Sequence, residues 1–198
     1  GTCVLGRSPL ATRVATDLKL PFLERNASPS SLIDATLFLA LVMRYIRAWW
    51  FHGHHDLVRN QPLKWNVNLG APTTPWQDKK LRTSYTRVAQ AAWTISLGHS
   101  PIHSESAVSA LGQGAHNSPP IMVVAEFVAQ IASYTRSPQR QHDLHLLVDI
   151  GAGTVDVVTF NVNNEEKTCE DQFPIFLSSL NNLGTHYFNR RRVRESRQ

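Results

Sequence analysis

Within Asp149-Ile150-Gly151-Ala152-Gly153-Thr154-Val155-Asp156, two carboxylates bracket a glycine-containing turn and a hydroxyl. Gly151 and Gly153 open backbone conformations closed to other residues and allow a ligand to come close to the chain. Successive backbone N–H groups in such a turn, joined by the Thr154 hydroxyl, can form an anion-binding concavity. Acids on both sides of a phosphate-binding turn make sense when a cation balances the charge. Mg2+ takes one or two carboxylates together with waters and substrate phosphates, so Asp149 and Asp156 are suitable partners for it. The chemistry these residues suggest is phosphate handling assisted by a divalent cation. An ordinary β-hairpin with a glycine turn is the plainer account of the same residues.

The turn needs strands to hold it. Leu146-Leu147-Val148 is continuously apolar ahead of Asp149, the pattern of a strand buried on both faces, and Val155 to Phe160 supplies a second strand. Upstream, Ser28-Pro29-Ser30-Ser31 starts a helix, with Ser28 as N-cap and Pro29 at the first helical position. Leu32 to Phe51 then approaches the length of a membrane span, interrupted by Asp34, Arg44 and Arg47. Such charges cost about 2.5–3.5 kcal/mol each at mid-bilayer, so the expectation is a buried helix of a layered α/β domain and no membrane. His52, His54 and His55 read as polar residues closing that helix rather than as metal ligands.

Lys64 to Leu69 alternates as a strand that ends in a Gly70-Ala71-Pro72 loop. From Gln77, Leu81, Tyr85, Val88, Ala92 and Ile95 form one helical stripe, flanked by a solvated face of Lys79, Lys80, Arg82 and Arg87 and stopped by Gly98. A short helix is expected over Glu105–Leu111. Pro119-Pro120 opens another, from Ile121 to about Tyr134, with Val124, Phe127, Val128 and Ile131 on its core face and Glu126 off that stripe. Asn163 to Lys167 reads as a hairpin turn and Thr168 to Asp171 as a further strand.

With 198 residues, 42% hydrophobic and 18% charged, the chain is globular in composition and long enough for one large or two small domains. A net charge of +5, much of it near the C-terminus, does not establish a nucleic-acid partner. Cys3 and Cys169 show no metal or disulfide-framework spacing, which favours a reduced, cytoplasmic compartment. No secretory signal, internal repeat or low-complexity tract is visible.

Asp149 to Asp156 between two β-runs resembles the second phosphate-binding motif of the actin, heat-shock-chaperone and sugar-kinase ATPase superfamily: an Asp, an apolar residue, a Gly-rich triplet, Thr, an apolar residue and Asp. Three further stretches follow the superfamily's order. The Val67 to Pro72 strand leads into the helix from Gln77. Ala125-Glu126-Phe127-Val128-Ala129-Gln130 is similar to the chaperones' Glu-Pro-x-Ala-Ala helix, with Phe127 in place of Pro. Leu183-Gly184-Thr185-His186-Tyr187-Phe188 resembles a later Leu-Gly-Gly segment, with Gly184 matching a Gly and with Thr185 and Asn189 departing from the pattern. The first phosphate motif is not matched, since Cys3 to Ser8 holds no acid, and the adenosine loop is also missing.

The resemblance implies ribonuclease-H-like, actin-type lobes with a mixed sheet flanked by helices, incomplete in this chain. Residues 1–141 would be the later part of the first lobe and 142–198 the start of the second. It implies Mg2+ and ATP as ligands. Asp149 would hold Mg2+ through water, and Gly151, Ala152, Gly153 and Thr154 would cradle phosphates. Asp156 would support the turn or the metal's water shell, Gly184 would border the phosphates, and Glu126 would orient the attacking water. Lobe closure would couple nucleotide state to a protein partner or to self-association. The alternative is a non-catalytic assembly module that keeps the fold. A sugar-type kinase ranks lower, as does a basic nucleic-acid binder resting on Arg190-Arg191-Arg192-Val193-Arg194 alone.

Overall fold

A computed structural model describes residues 27–57, 61–72, 76–113, 120–151, 154–164, 171–181 and 183–185, together with residues 18, 59, 192 and 195. The fold is mixed α/β, with helices, a two-stranded parallel sheet and a small antiparallel sheet. The chain forms two compact units, one of residues 2–69 and 78–123, the other of residues 70–77 and 124–198 with residue 1. The helix that carries Glu126 therefore clusters with the Asp149–Asp156 hairpin, whereas the lobe boundary expected from the sequence falls after residue 141. The expected turn over Asn163 to Lys167 and strand over Thr168 to Asp171 lie largely outside the described residues, as does Asn189.

In the helical unit, α1 spans Pro29–His54. Ser28 caps it in extended conformation, its hydroxyl accepting from the Ser31 N–H at 3.2 Å, with proline in the first turn as the sequence predicts. The strand β1 follows at Val67–Ala71, then α2 at Lys79–Ser96 and α3 at Ser104–Gln113. Asp78 caps α2 by accepting from the N–H groups of Lys80 and Leu81. Leu81, Tyr85, Val88 and Ala92 are buried at the expected helical spacing, and Gly98 stands just past the Leu97 C-cap. Alanines let the α1 and α2 backbones approach. Ala40 and Met43 of α1 meet Ala89, Ala92 and Trp93 of α2, with Trp65, Val67 and Ile102 packed around them. Arg87 donates twice to the Leu111 carbonyl and so closes the end of α3.

Two expectations about α1 and β1 are corrected. α1 is one-sided rather than buried. Ala35, Thr36, Ala40 and Met43 face the core, while Phe38, Leu41, Tyr45 (69% exposed) and Trp49 (62%) face out. The small residues of α1 and Met43 pack on α2, and Arg44 and Arg47 add hydrogen bonds to the last carbonyls of α2, so the bulkier apolar residues are left on the opposite face. By length and composition α1 could cross a membrane. The second correction is that Gly70 and Ala71 belong to β1 itself rather than to a loop.

In the hairpin unit, β2 (Ile121–Ala125, which begins in the helical unit and pairs with β1) runs straight into α4 (Glu126–Thr135). The single helix expected from Ile121 to Tyr134 is thus a strand and a shorter helix. Ile-Met-Val-Val favours the pleated conformation, and its backbone groups find a ladder partner in β1. The helix begins at Glu126, an acid in its first turn, where negative charge is favoured. Val128, expected in the core, is exposed, while Phe127 and Ile131 are buried.

β3 (Asp143–Ile150) and β4 (Val155–Asn164) form an antiparallel hairpin with Asp149 opposite Asp156 and Leu147 opposite Val158. β4 also pairs with β5 (Asp171–Gln172) and β6 (Ile175–Asn181). One sheet face packs on α4 through Phe127, Ile131, Val158, Phe160 and Val162, with Trp76, Tyr134, Leu147 and Phe173 at the margin. The other face is open. Leu144, Leu146, Val148 and Ile150 are exposed, which corrects the expectation of a strand buried on both sides. A continuously apolar run is compatible with either arrangement.

Where α4 meets the start of β3, one hydrogen-bond chain links them. The Gln141 N–H donates to the Tyr134 hydroxyl at 2.9 Å, that hydroxyl lies 2.9 Å from His145 Nε2, and His145 Nδ1 lies 2.8 Å from the Asp143 carbonyl. A carbonyl only accepts, so Nδ1 carries the proton and Nε2 accepts from the tyrosine. The ring stacks on Phe160 at 5.1 Å, and Asp143 takes a left-handed φ of 80°, a conformation aspartate tolerates better than most residues. Tyr134→Phe leaves the Gln141 N–H and His145 Nε2 without this partner, and the expected loss is about 1–3 kcal/mol in denaturant unfolding. An unchanged midpoint would show that water replaces the hydroxyl.

Candidate phosphate-binding site

The hairpin places the two predicted acids on one face of the sheet. Asp149 and Asp156 are register partners, and residues directly opposite in an antiparallel pair project to the same side. That is the side covered by α4, where Asp156 is only 6% exposed and Asp149 is half-buried. Like charges directly opposite one another are unfavourable, so the pair calls for compensating donors or a cation.

Part of that compensation comes from α4. Gln130 Nε2 donates to Asp149 Oδ2 at 2.9 Å. The other end of this amide, Oε1, is buried and accepts no hydrogen bond among the described residues. Glu126 lies four residues before Gln130 on the same helix, so the two share a helical face. Glu126 is approached closely by β1: a methyl group on Gly70 would stand 3.2 Å from Glu126 Cγ and 3.8 Å from Oε1. Gly70 thus leaves the room that the Glu126 side chain occupies.

The turn itself is closed by a hydrogen bond from the Gly151 N–H to the Thr154 carbonyl at 2.9 Å, and Thr154 is buried. Gly151 also receives the later segment. Its carbonyl accepts from the Thr185 N–H at 3.0 Å, which brings the buried Gly184 beside the turn. Ala152 and Gly153, the centre of the expected cradle, lie outside the described residues. Glu126, Asp149, Gly151, Thr154, Asp156 and Gly184 all belong to one compact unit. Gln130 and Gly70 join the site through contacts between separate elements. Gln130 carried a usable signal, its spacing of one helical turn from Glu126, but the contact with Asp149 is tertiary.

The donor set suits a hydrated cation. Among the described residues no three His, Cys, Asp or Glu side chains gather as a metal cage. Mg2+ needs only one or two carboxylates when waters and phosphate oxygens complete its shell, and the half-buried Asp149 of the opposed pair offers a carboxylate acceptor for such waters. The open groove of about 420 Å³ lies elsewhere, in the helical unit, between Arg82, Thr83, Thr86, Arg87 and Gln90 of α2 and Ile121 to Val123 of β2. None of the predicted site residues lines it. His54, from the histidine cluster after α1, stacks on Trp50 at 5.0 Å, with Nδ1 2.9 Å from the Trp50 carbonyl. No protein-family model matches the chain, and no curated protein matches it.

Proposed function

We propose that the hairpin unit is the phosphate-binding part of an ATP-binding and ATP-hydrolysing protein of actin-like or chaperone-like type, working in the cytoplasm. The observation that carries this reading is the opposed Asp149–Asp156 pair across a glycine turn, covered by a helix face bearing Glu126 and Gln130. The order strand, glutamate-led helix, hairpin, glycine segment is that of the superfamily the sequence resembles. On this reading residues 1–141 and 142–198 are parts of adjoining lobes.

Phosphoryl transfer asks a protein mainly for positioning and charge neutralisation. Backbone N–H groups of the Gly151–Thr154 turn would hold phosphate oxygens. Asp149 would accept hydrogen bonds from the waters of the cation, and Asp156, buried opposite it on the next strand, would support the turn or the metal's water shell. Glu126 would orient the attacking water from the first turn of α4. When bound, Mg2+ would neutralise charge on the phosphates. A single phosphate motif of the superfamily's pair is matched here, so binding by this chain alone is expected to be weak. A non-catalytic assembly module is the second reading, favoured by the exposed Leu144, Leu146, Val148 and Ile150 face.

Calorimetric titration with ATP separates the two. The expected result is weak, saturable binding that requires Mg2+ and falls by about tenfold or more, about 1.4 kcal/mol, in Asp149→Ala. Binding that is absent, or that is indifferent to both Mg2+ and Asp149, would remove the ATPase reading.

A further inference from the structure

We propose that Gln130 is a positioning residue for Asp149, an inference that rests on the phosphate-site reading above. Its amide N–H, 2.9 Å from Oδ2, takes up one carboxylate oxygen and sets the plane of the group. Oδ1 is then left to accept from a cation's water. The Gln130 Oε1 is buried and without a donor among the described residues. A structural role alone gives a poor account of this arrangement. A helix residue chosen only to pack on the sheet has no need of an amide whose oxygen goes unsatisfied, because a buried unmet acceptor is itself unfavourable. The oxygen is accounted for if the amide is kept for its donor, which holds the carboxylate that a cation's waters would meet. Partners that orient a metal-facing ligand in this way commonly change metal affinity ~10–100-fold when removed.

Two substitutions test the role. Gln130→Met keeps a similar volume and removes the donor, and Mg·ATP affinity is expected to fall about tenfold or more with little change in Tm. Gln130→Glu is isosteric but sets a carboxylate against Asp149. Without divalent cation its Tm is expected to fall below that of the parent chain, and millimolar MgCl2 or CaCl2 should restore it, with no nucleotide present. That cation-dependent Tm shift should be larger than in the parent chain and should vanish in Gln130→Glu/Asp149→Asn. A merely structural Gln130 would give a Gln130→Glu loss that cations leave unchanged, which overturns the proposal. If the parent binds Mg·ATP and Gln130→Met binds it equally well, the positioning role fails while the ATPase reading stands. If the parent binds no Mg·ATP, the ATPase reading fails, and the cation-dependent Tm shift alone decides whether Gln130 faces a cation-binding carboxylate.

Discussion

Phe127→Ala is expected to lower the stability of the hairpin unit by about 3–5 kcal/mol, the usual range for deleting a buried aromatic ring. Phe127 is 3% exposed and packs with Ile131, Val158 and Phe160, and its ring meets Trp76 edge to face at 6.3 Å. Truncation removes both the transfer contribution and the aromatic pair, and the rigid antiparallel strands beneath it can close the void only in part. The side chain is also, with Ile131, one of those that join α4 to the sheet, so its loss should loosen the helix that carries Glu126 and Gln130. Phe127→Pro makes a useful control. Phe127 lies in the first turn of α4, where an N–H has no intrahelical acceptor and proline is tolerated. Proline should therefore cost about as much as alanine, through the lost ring, rather than more. Denaturant unfolding followed by far-UV circular dichroism measures both. A loss below about 1 kcal/mol for Phe127→Ala would mean the core can repack around the gap.

How much of this architecture can be read from the chain depends on whether local signals decide a segment. α2 was legible because a capping aspartate, a clean apolar stripe and a terminal glycine agree on one helix. The Ser28-Pro29 start of α1 was legible for the same reason. Ile121 to Ala125 was misread because a short apolar run fits a strand or a helix equally well, and only pairing with β1 settles it. The open face of β3 was invisible too, since apolar residues at Leu144, Leu146, Val148 and Ile150 give no sign of what covers them. The opposition of Asp149 and Asp156 followed from two strands joined by a short turn, so the heart of the candidate site was readable. Gln130 on Asp149, Gly70 under Glu126 and Thr185 on Gly151 join separate elements, and spacing along the chain does not reveal them.

The arginines of α1 show the same limit and carry the second large effect. Arg44 donates to the carbonyls of Ile95, Ser96 and Ser100, and Arg47 donates to the Ser96 hydroxyl at 2.7 Å and the Ser96 carbonyl at 2.9 Å. The end of α2 presents carbonyls with no intrahelical partner and the negative end of the helix dipole, so cations are favoured there. The Arg47 guanidinium also lies 5.1 Å from the Trp93 ring centroid. Burial, and then the neighbouring charge of Arg44, holds the Arg47 guanidinium below the usual arginine range. The folded chain therefore binds that proton less tightly than the unfolded chain does. Charged Arg47 on that account costs stability at neutral pH, and the cost is relieved only as pH rises through the lowered value into the alkaline range. The hydrogen bonds and the ring contact must outweigh it, and bonds to charged groups contribute about 1.5–3 kcal/mol each at most. Arg47→Ala is thus expected to lose about 2–3 kcal/mol in denaturant unfolding, since Ser96 is buried and its hydroxyl loses a donor. Arg44→Ala should lose a similar amount. The double variant should lose more than the sum, because either arginine alone still donates to the Ser96 carbonyl and the relief of their mutual repulsion is counted in each single variant but gained only once in the double. Additive losses would show that the two guanidiniums act on α2 independently, and a loss near zero for Arg47→Ala would show that the arginine stem, rather than its charge, holds α1 in place.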